Sequence, residues 1–144
     1  MEDKMNTKLI IAGIAGFIVS LGCGFLFHGM VLHGDYAQLP NLMRTEADAQ
    51  AHLPFLMLSH LIKGFAFAWI YTKGISPGVS WLSQGLKFGV ATVFLVTIPF
   101  YLVYYSVEPM PGMLVAKQIV FDAITMILMG IVVSFIVKSP VEVK

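Results

Sequence analysis

Residues 113–137 read MLVAKQIVFDAITMILMGIVVSFIV, an apolar run interrupted by only two charges, Lys117 and Asp122. It exceeds the roughly 20 residues a helix needs to cross a hydrocarbon core of about 30 Å. Three further runs match it in character, at about Leu9 to Phe27, Leu53 to Tyr71 and Leu86 to Tyr105. A chain with 58% hydrophobic residues, 12% charged residues and a mean hydropathy of +0.83 cannot cover a water-soluble shell. The expected fold is therefore all-α: one polytopic domain over residues 1–144, a bundle of four transmembrane helices.

Short segments join the runs. Residues 29–44 carry Gly34, Pro40 and Asn41 and read as an irregular outer loop. Thr45-Glu46-Ala47-Asp48 combines a hydroxyl cap with acidic residues, so the second helix is expected to begin before the hydrocarbon, in the headgroup zone. Lys4 and Lys8 ahead of the first run suggest a signal peptide, and Leu21-Gly22-Cys23 loosely matches a lipoprotein cleavage site. Apolar sequence continues to Leu32, however, beyond the roughly 7 to 15 residues of a signal core, so a retained first helix is expected. Cys23 is the single cysteine, which excludes an intrachain disulfide.

Lysine and arginine favour the cytoplasmic side of a membrane. Lys4, Lys8, Lys73, Lys87, Lys138 and Lys144 fall on one side, with Arg44 and Lys117 on the other, so both termini are expected in the cytoplasm of an inner-membrane protein. Trp69, Tyr71 and Trp81 would mark the inner interface, and Tyr36, Tyr101, Tyr104 and Tyr105 the outer one. A net charge of +1 from scattered basic residues gives no stripe for phosphate, so nucleic acid is not an expected partner.

In lipid, helices associate through close backbone approach and interhelical polar contacts. Ala12, Gly16, Ser20 and Gly24 recur every four residues and form a ridge of small side chains, with His28 as its next position. Gly85 with Gly89, and Gly130 with Ser134, repeat the spacing. Such ridges pack helices within a chain or pair subunits. Pro99 removes an amide from the third helix and should kink it, whereas Pro54 lies in the first membrane turns of the second and is structural.

Four positions interrupt the apolar faces: His60 and Lys63 in the second helix, Gln118 and Asp122 in the fourth. A mid-bilayer charge costs roughly 2.5–3.5 kcal/mol on insertion scales, so pairing is the cheaper outcome for Lys63 and Asp122. Counted at about 1.5 Å per residue, the two lie roughly 15 and 14 Å below Leu53 and Met113, which predicts a contact near the midplane, direct or through water. The pair reads either as a register lock between helices or as part of a site for a ligand, ion or proton.

A second polar group, His28, His33, Asp35, His52 and Glu108, gathers at the outer surface and could bind Zn²⁺ or Cu²⁺ if three converged. Its spacing is not diagnostic of a metal, and haem would require two histidines at matched depth on different helices. No cofactor is expected. Glu108-Pro109-Met110-Pro111-Gly112 reads as a rigid connection that aims the fourth helix. The chain has no nucleophile elbow, zinc-protease pair, phosphate loop or dinucleotide fingerprint, hence no motif for catalysis.

With Asn41-Leu42-Met43-Arg44, His28-Gly29-Met30, Ser59-His60-Leu61 and the stretch from Glu108 to Asp122, the chain resembles a group of small, uncharacterised bacterial membrane proteins. The resemblance implies a four-helix inner-membrane fold and carries over no activity or functional residue. Three functions are consistent with these residues. The leading one is an oligomer or complex subunit whose outward-facing polar site takes a small ligand, ion or proton. The others are a structural or assembly subunit, and a metal- or haem-binding redox subunit.

The expected topology is testable with single cysteines. A periplasmic, membrane-impermeant thiol reagent should label a cysteine at Asn41 and leave one at Ser76 unlabelled; the reverse pattern would invert the orientation.

Overall fold

A computed structural model describes residues 2–138, so Lys144 of the flanking lysines lies outside them. The described chain contains helices and no strand, and four of the helices are long and apolar enough to cross a membrane. Helix α1 spans Glu2–Gly24 and continues through wider, π-helical turns over Phe25–Val31. Two short helices follow, α2 (His33–Ala37) and α3 (Glu46–Ala51), before α4 (Leu53–Lys73). Helix α5 covers Trp81–Val107, and α6 covers Gly112–Val137.

These bounds refine the expected ones. The first helix begins earlier and runs farther, its last turns widening over Phe25–Val31 before the chain leaves the helix at Leu32. Thr45 does cap a helix, accepting from the Asp48 amide, but that helix is separated from α4 at His52. The third span begins at Trp81 rather than Leu86, since Ser80 caps it by accepting from the Ser83 amide.

Helices α1 and α6 lie at the centre of the bundle: α1 packs against α4 and α6, while α6 also carries α5. Both described termini lie at one end, where the Lys8 ammonium donates to the Lys138 carbonyl at 3.0 Å. This is the terminal end, and the opposite one is the cap end. At the terminal end α4 reaches α5 through aromatic contacts of Phe88 with Phe67 and Tyr71, with centroids 4.7 and 5.5 Å apart.

The α1 ridge packs within the chain. Ala12 and Ser20 are buried, Ser20 against His60 of α4, and a Cβ added to Gly16 would stand 3.2 Å from the Gly64 Cα. Gly64 is the more demanding position, because its Cβ would meet the Phe17 backbone nitrogen and lie 2.7 Å from the Gly13 carbonyl oxygen. The contact between α5 and α6 is built likewise, with Gly85 and Gly89 set against Gly130, Ser134 and the backbone of Ile127.

Pro99 is accommodated by a change of helical pitch. Over Val93–Thr97 the turns of α5 widen, the Ile98 amide reaches the Val93 carbonyl, and a fresh α-helical segment starts at Ile98. Pro99 thus follows directly on the wider turn, the kind of local change of pitch by which a helix accommodates a proline. The apolar core divides accordingly. One cluster, including Phe67, Met129 and Val133, fills the terminal half. The other holds Leu32, Tyr101, Met110, Leu114 and Val115 together at the cap end, with Tyr36, Leu39 and Leu42 folded onto it from the connection after α1.

Overpacking a close contact costs about 1–3 kcal/mol, and more where the obstacle is backbone. Gly64→Ala and Gly16→Leu should both lower the melting temperature in detergent, whereas Ile18→Leu, at a side chain 61% exposed, should not. Equal melting of all three variants would show that the ridge is not the packing face.

Candidate functional site

The cap end of α6 projects past the end of α1, and α2 fills the step. That placement draws side chains from three elements, α1, α2 and α5, onto α6. The Gln118 amide Nε2 donates to the Tyr36 hydroxyl at 3.0 Å, and the same hydroxyl lies 2.6 Å from His28 Nδ1. His28 Nε2 lies 3.0 Å from Asp122 Oδ1, and the Tyr101 hydroxyl donates to Asp122 Oδ2 at 2.6 Å. Above this network, the Lys117 ammonium donates to both Asp35 oxygens at 2.9 Å and ties α2 to α6.

The bond directions follow from which groups can donate. Since Tyr36 accepts from Gln118, its single proton is available for His28 Nδ1. A neutral His28 then carries its proton on Nε2 and donates to Asp122. The carboxylate receives one donor on each oxygen, the arrangement needed to hold it charged between apolar helices. His28 and Asp122 side chains are 27% and 24% exposed.

Two buried polar atoms have no hydrogen-bond partner among the described residues: Gln118 Oε1 and Thr97 Oγ1. Both residues are at least 95% buried. An unsatisfied buried group costs about 1–3 kcal/mol, so each marks a place where a donor or acceptor could add stability. Gln118 lies one turn from Asp122 and Thr97 one turn from Tyr101, so the two atoms flank the bonded pair.

His28, Gln118 and Asp122 come together, while the other sequence candidates go elsewhere. His60 is buried and shares a 2.7 Å hydrogen bond with Ser20 through Nδ1. Lys63 makes no ion pair among the described residues, which corrects the expected direct contact with Asp122. Equal depth was counted from helix ends assumed to be level. Gly64 instead packs on Gly13 and Phe17, and His60 lies beside Gly24, so Lys63 starts several turns nearer the terminal end than His28 and Asp122. Its field still acts on both Asp122 and His60.

The outer group is dispersed. His33 is exposed, Asp35 binds Lys117, and His52 binds the Asp48 carbonyl at 2.7 Å through Nδ1, where Arg44 also holds Asp48. Glu108 stands half-buried in the connection before α6. Among the described residues no three His, Cys, Asp or Glu side chains converge as metal ligands.

Tyr36 and Tyr101, which the sequence offered as interface aromatics, are the unexpected members. For Tyr101 a signal existed. A helical side chain leans toward its own N-terminus, so a tyrosine two turns inside the cap end of α5 reaches deeper than its Cα. Outside the membrane-length helices, burial raises the Tyr36 phenol above its ordinary pKa. The hydrogen bond from Gln118 opposes that rise, and the carboxylates of Asp122 and Asp35 add to it. Tyr36 therefore keeps its hydroxyl proton at neutral pH.

Neighbours in one network couple by about 0.5–3 kcal/mol, and coupling falls off for groups without a shared bond. A double-mutant cycle on thermal stability should give a larger interaction energy for His28→Gln with Asp122→Asn than for Lys63→Met with Asp122→Asn. The opposite order would restore Lys63 as the partner of Asp122. No family model, curated protein or solved structure matches this chain.

Proposed function

We propose that this chain is a multi-pass inner-membrane protein, its cap end outward and its termini cytoplasmic, whose polar network holds a small ligand, ion or proton. It would work as an oligomer or as a subunit of a larger membrane complex. One observation carries the reading: Asp122, His28, Tyr101 and Gln118, on three helices of membrane length, form one connected set with Tyr36 of the cap helix α2. Ionisable groups at such depth are costly and are functional candidates by default. The exposed aliphatic residues of all four long helices, such as Ile18, Ile62, Leu95 and Val120, support a lipid or subunit environment.

The second reading is a structural subunit whose polar contacts lock helix register. The buried Ser20 to His60 bond favours it locally, since that bond joins α1 to α4 beside their closest approach. Occupancy separates the two readings, because a species bound by the folded state raises its stability. Melting of the protein in nanodiscs should depend on pH or on added Na⁺ or K⁺, and Asp122→Asn should abolish the dependence. Identical, flat behaviour of both proteins across these conditions would leave only the structural role.

A further inference from the structure

We propose that the species taken up at this site is the proton, and that it enters through the Tyr36 hydroxyl, which hands its own proton to His28 Nδ1. The inference rests on the reading of the network as a site for a small species and names that species. Both ring nitrogens of His28 and both oxygens of Asp122 are already engaged at 2.6–3.0 Å. A metal cation would have to displace those bonds to be coordinated. A proton only has to move along them.

The step balances. A hydronium ion arriving from the cap side gives a proton to the Tyr36 oxygen and leaves as water. The O–H bond pointing at His28 breaks as an N–H bond forms on Nδ1, so Tyr36 ends neutral, as it began. Its remaining proton needs a new acceptor, because Nδ1 has become a donor. Gln118 supplies one: turning its amide about the last side-chain bond replaces Nε2 by Oε1, the buried oxygen that has no partner while His28 is neutral. Only an amide offers both a donor and an acceptor in nearly the same volume. The orphaned oxygen is thereby accounted for as the acceptor of the protonated state.

Charge favours the uptake. Before it, Asp122 is a carboxylate among neutral donors; afterwards it faces an imidazolium and the pair is neutral as a whole. The groups that face the network are Asp122 on α6, Tyr101 on α5, Tyr36 and Asp35 on α2, and His60 and Lys63 on α4; the Lys63 ammonium opposes a cation here, and the Asp122 carboxylate, bonded to His28 directly, outweighs it. Lys117 neutralises Asp35 at the mouth. The phenol of Tyr36, held protonated by burial, suits a relay that must donate and accept in turn.

Nuclear magnetic resonance of protein labelled with ¹⁵N-histidine and ¹³C-tyrosine, in nanodiscs, tests this. At alkaline pH His28 should carry its proton on Nε2 alone, and acidification should protonate Nδ1 while the Tyr36 ring signal moves with the same midpoint. In Tyr36→Phe, proton exchange at Nδ1 should slow about tenfold or more, and Gln118→Met should slow it in the same direction. The reverse tautomer at alkaline pH, or a Tyr36 signal that moves independently of His28, would overturn the relay even if neither variant folds. If His28 never gains a proton but NaCl or KCl shifts its signals, the proton is not the occupant while the site reading survives. If neither acid nor salt alters His28, both fall.

Discussion

A carboxylate on a helix that is apolar on almost every side must be given donors by its neighbours, and Asp122 sets that requirement for the bundle. At mid-bilayer an isolated charge costs roughly 2.5–3.5 kcal/mol, a large fraction of the 5–15 kcal/mol that typically separates folded from unfolded chains. The donors come from α1 and α5, the two helices on either side of α6. Each departs from α-helical pitch close to the donor: His28 lies within π-helical turns, and Tyr101 follows the widened turn of Val93–Thr97 by one turn. Wider turns rotate the residues beyond them, which is how a helix re-aims one face without breaking. A cap over the network follows from the same need, since α2 brings both the second partner of His28 and the anchor for Lys117.

The remaining contacts keep the helices close enough for those bonds to form. Without hydrophobic attraction between helices in lipid, separation depends on how nearly backbones approach. Gly64 against the Gly13 to Phe17 stretch, and Gly85 and Gly89 against Gly130, bring two helix pairs to backbone contact. Each pair is a hairpin in sequence, and the hairpins then join across α1 and α6. Phe27 stacks on Phe121 at 4.7 Å on that seam, one residue from each member of the His28 to Asp122 bond.

Much of this was legible in the sequence. The four spans follow from hydropathy and length, and the period-four small residues of α1 marked a real packing face. Gly64, its counterpart, carried no pattern of its own, since a lone glycine among Lys63, Phe65 and Phe67 has no ridge around it. That Gln118 and Asp122 would need polar partners was visible because polarity is conspicuous in an apolar run. Their partners were not. Depth counting assumed helices that end at one level, and the π-helical continuation of α1 with the inward fold of residues 33–44 breaks that assumption. Neither feature has a residue signature, because both arise when the chain satisfies Asp122 and buries Leu32, Leu39 and Leu42 at the cap end.

The two halves of the bundle consequently differ in what they can tolerate. In the terminal half, glycine contacts and interlocked aliphatic side chains leave one arrangement, because close-packed interiors do not deform continuously. In the cap half, connectivity runs through hydroxyls, an imidazole and an amide, whose hydrogen bonds can exchange donor for acceptor without moving a backbone atom. Anchoring the helices at one end frees the other to change its bonding pattern while its geometry is held. A pair of charged residues at the centre of the bundle would have offered no such freedom, since every partner would have been fixed on both sides. Placing the carboxylate under a cap, one hydrogen bond from His28 and two from Tyr36, joins it to a set of groups that can exchange bonds and still leaves the helix contacts intact.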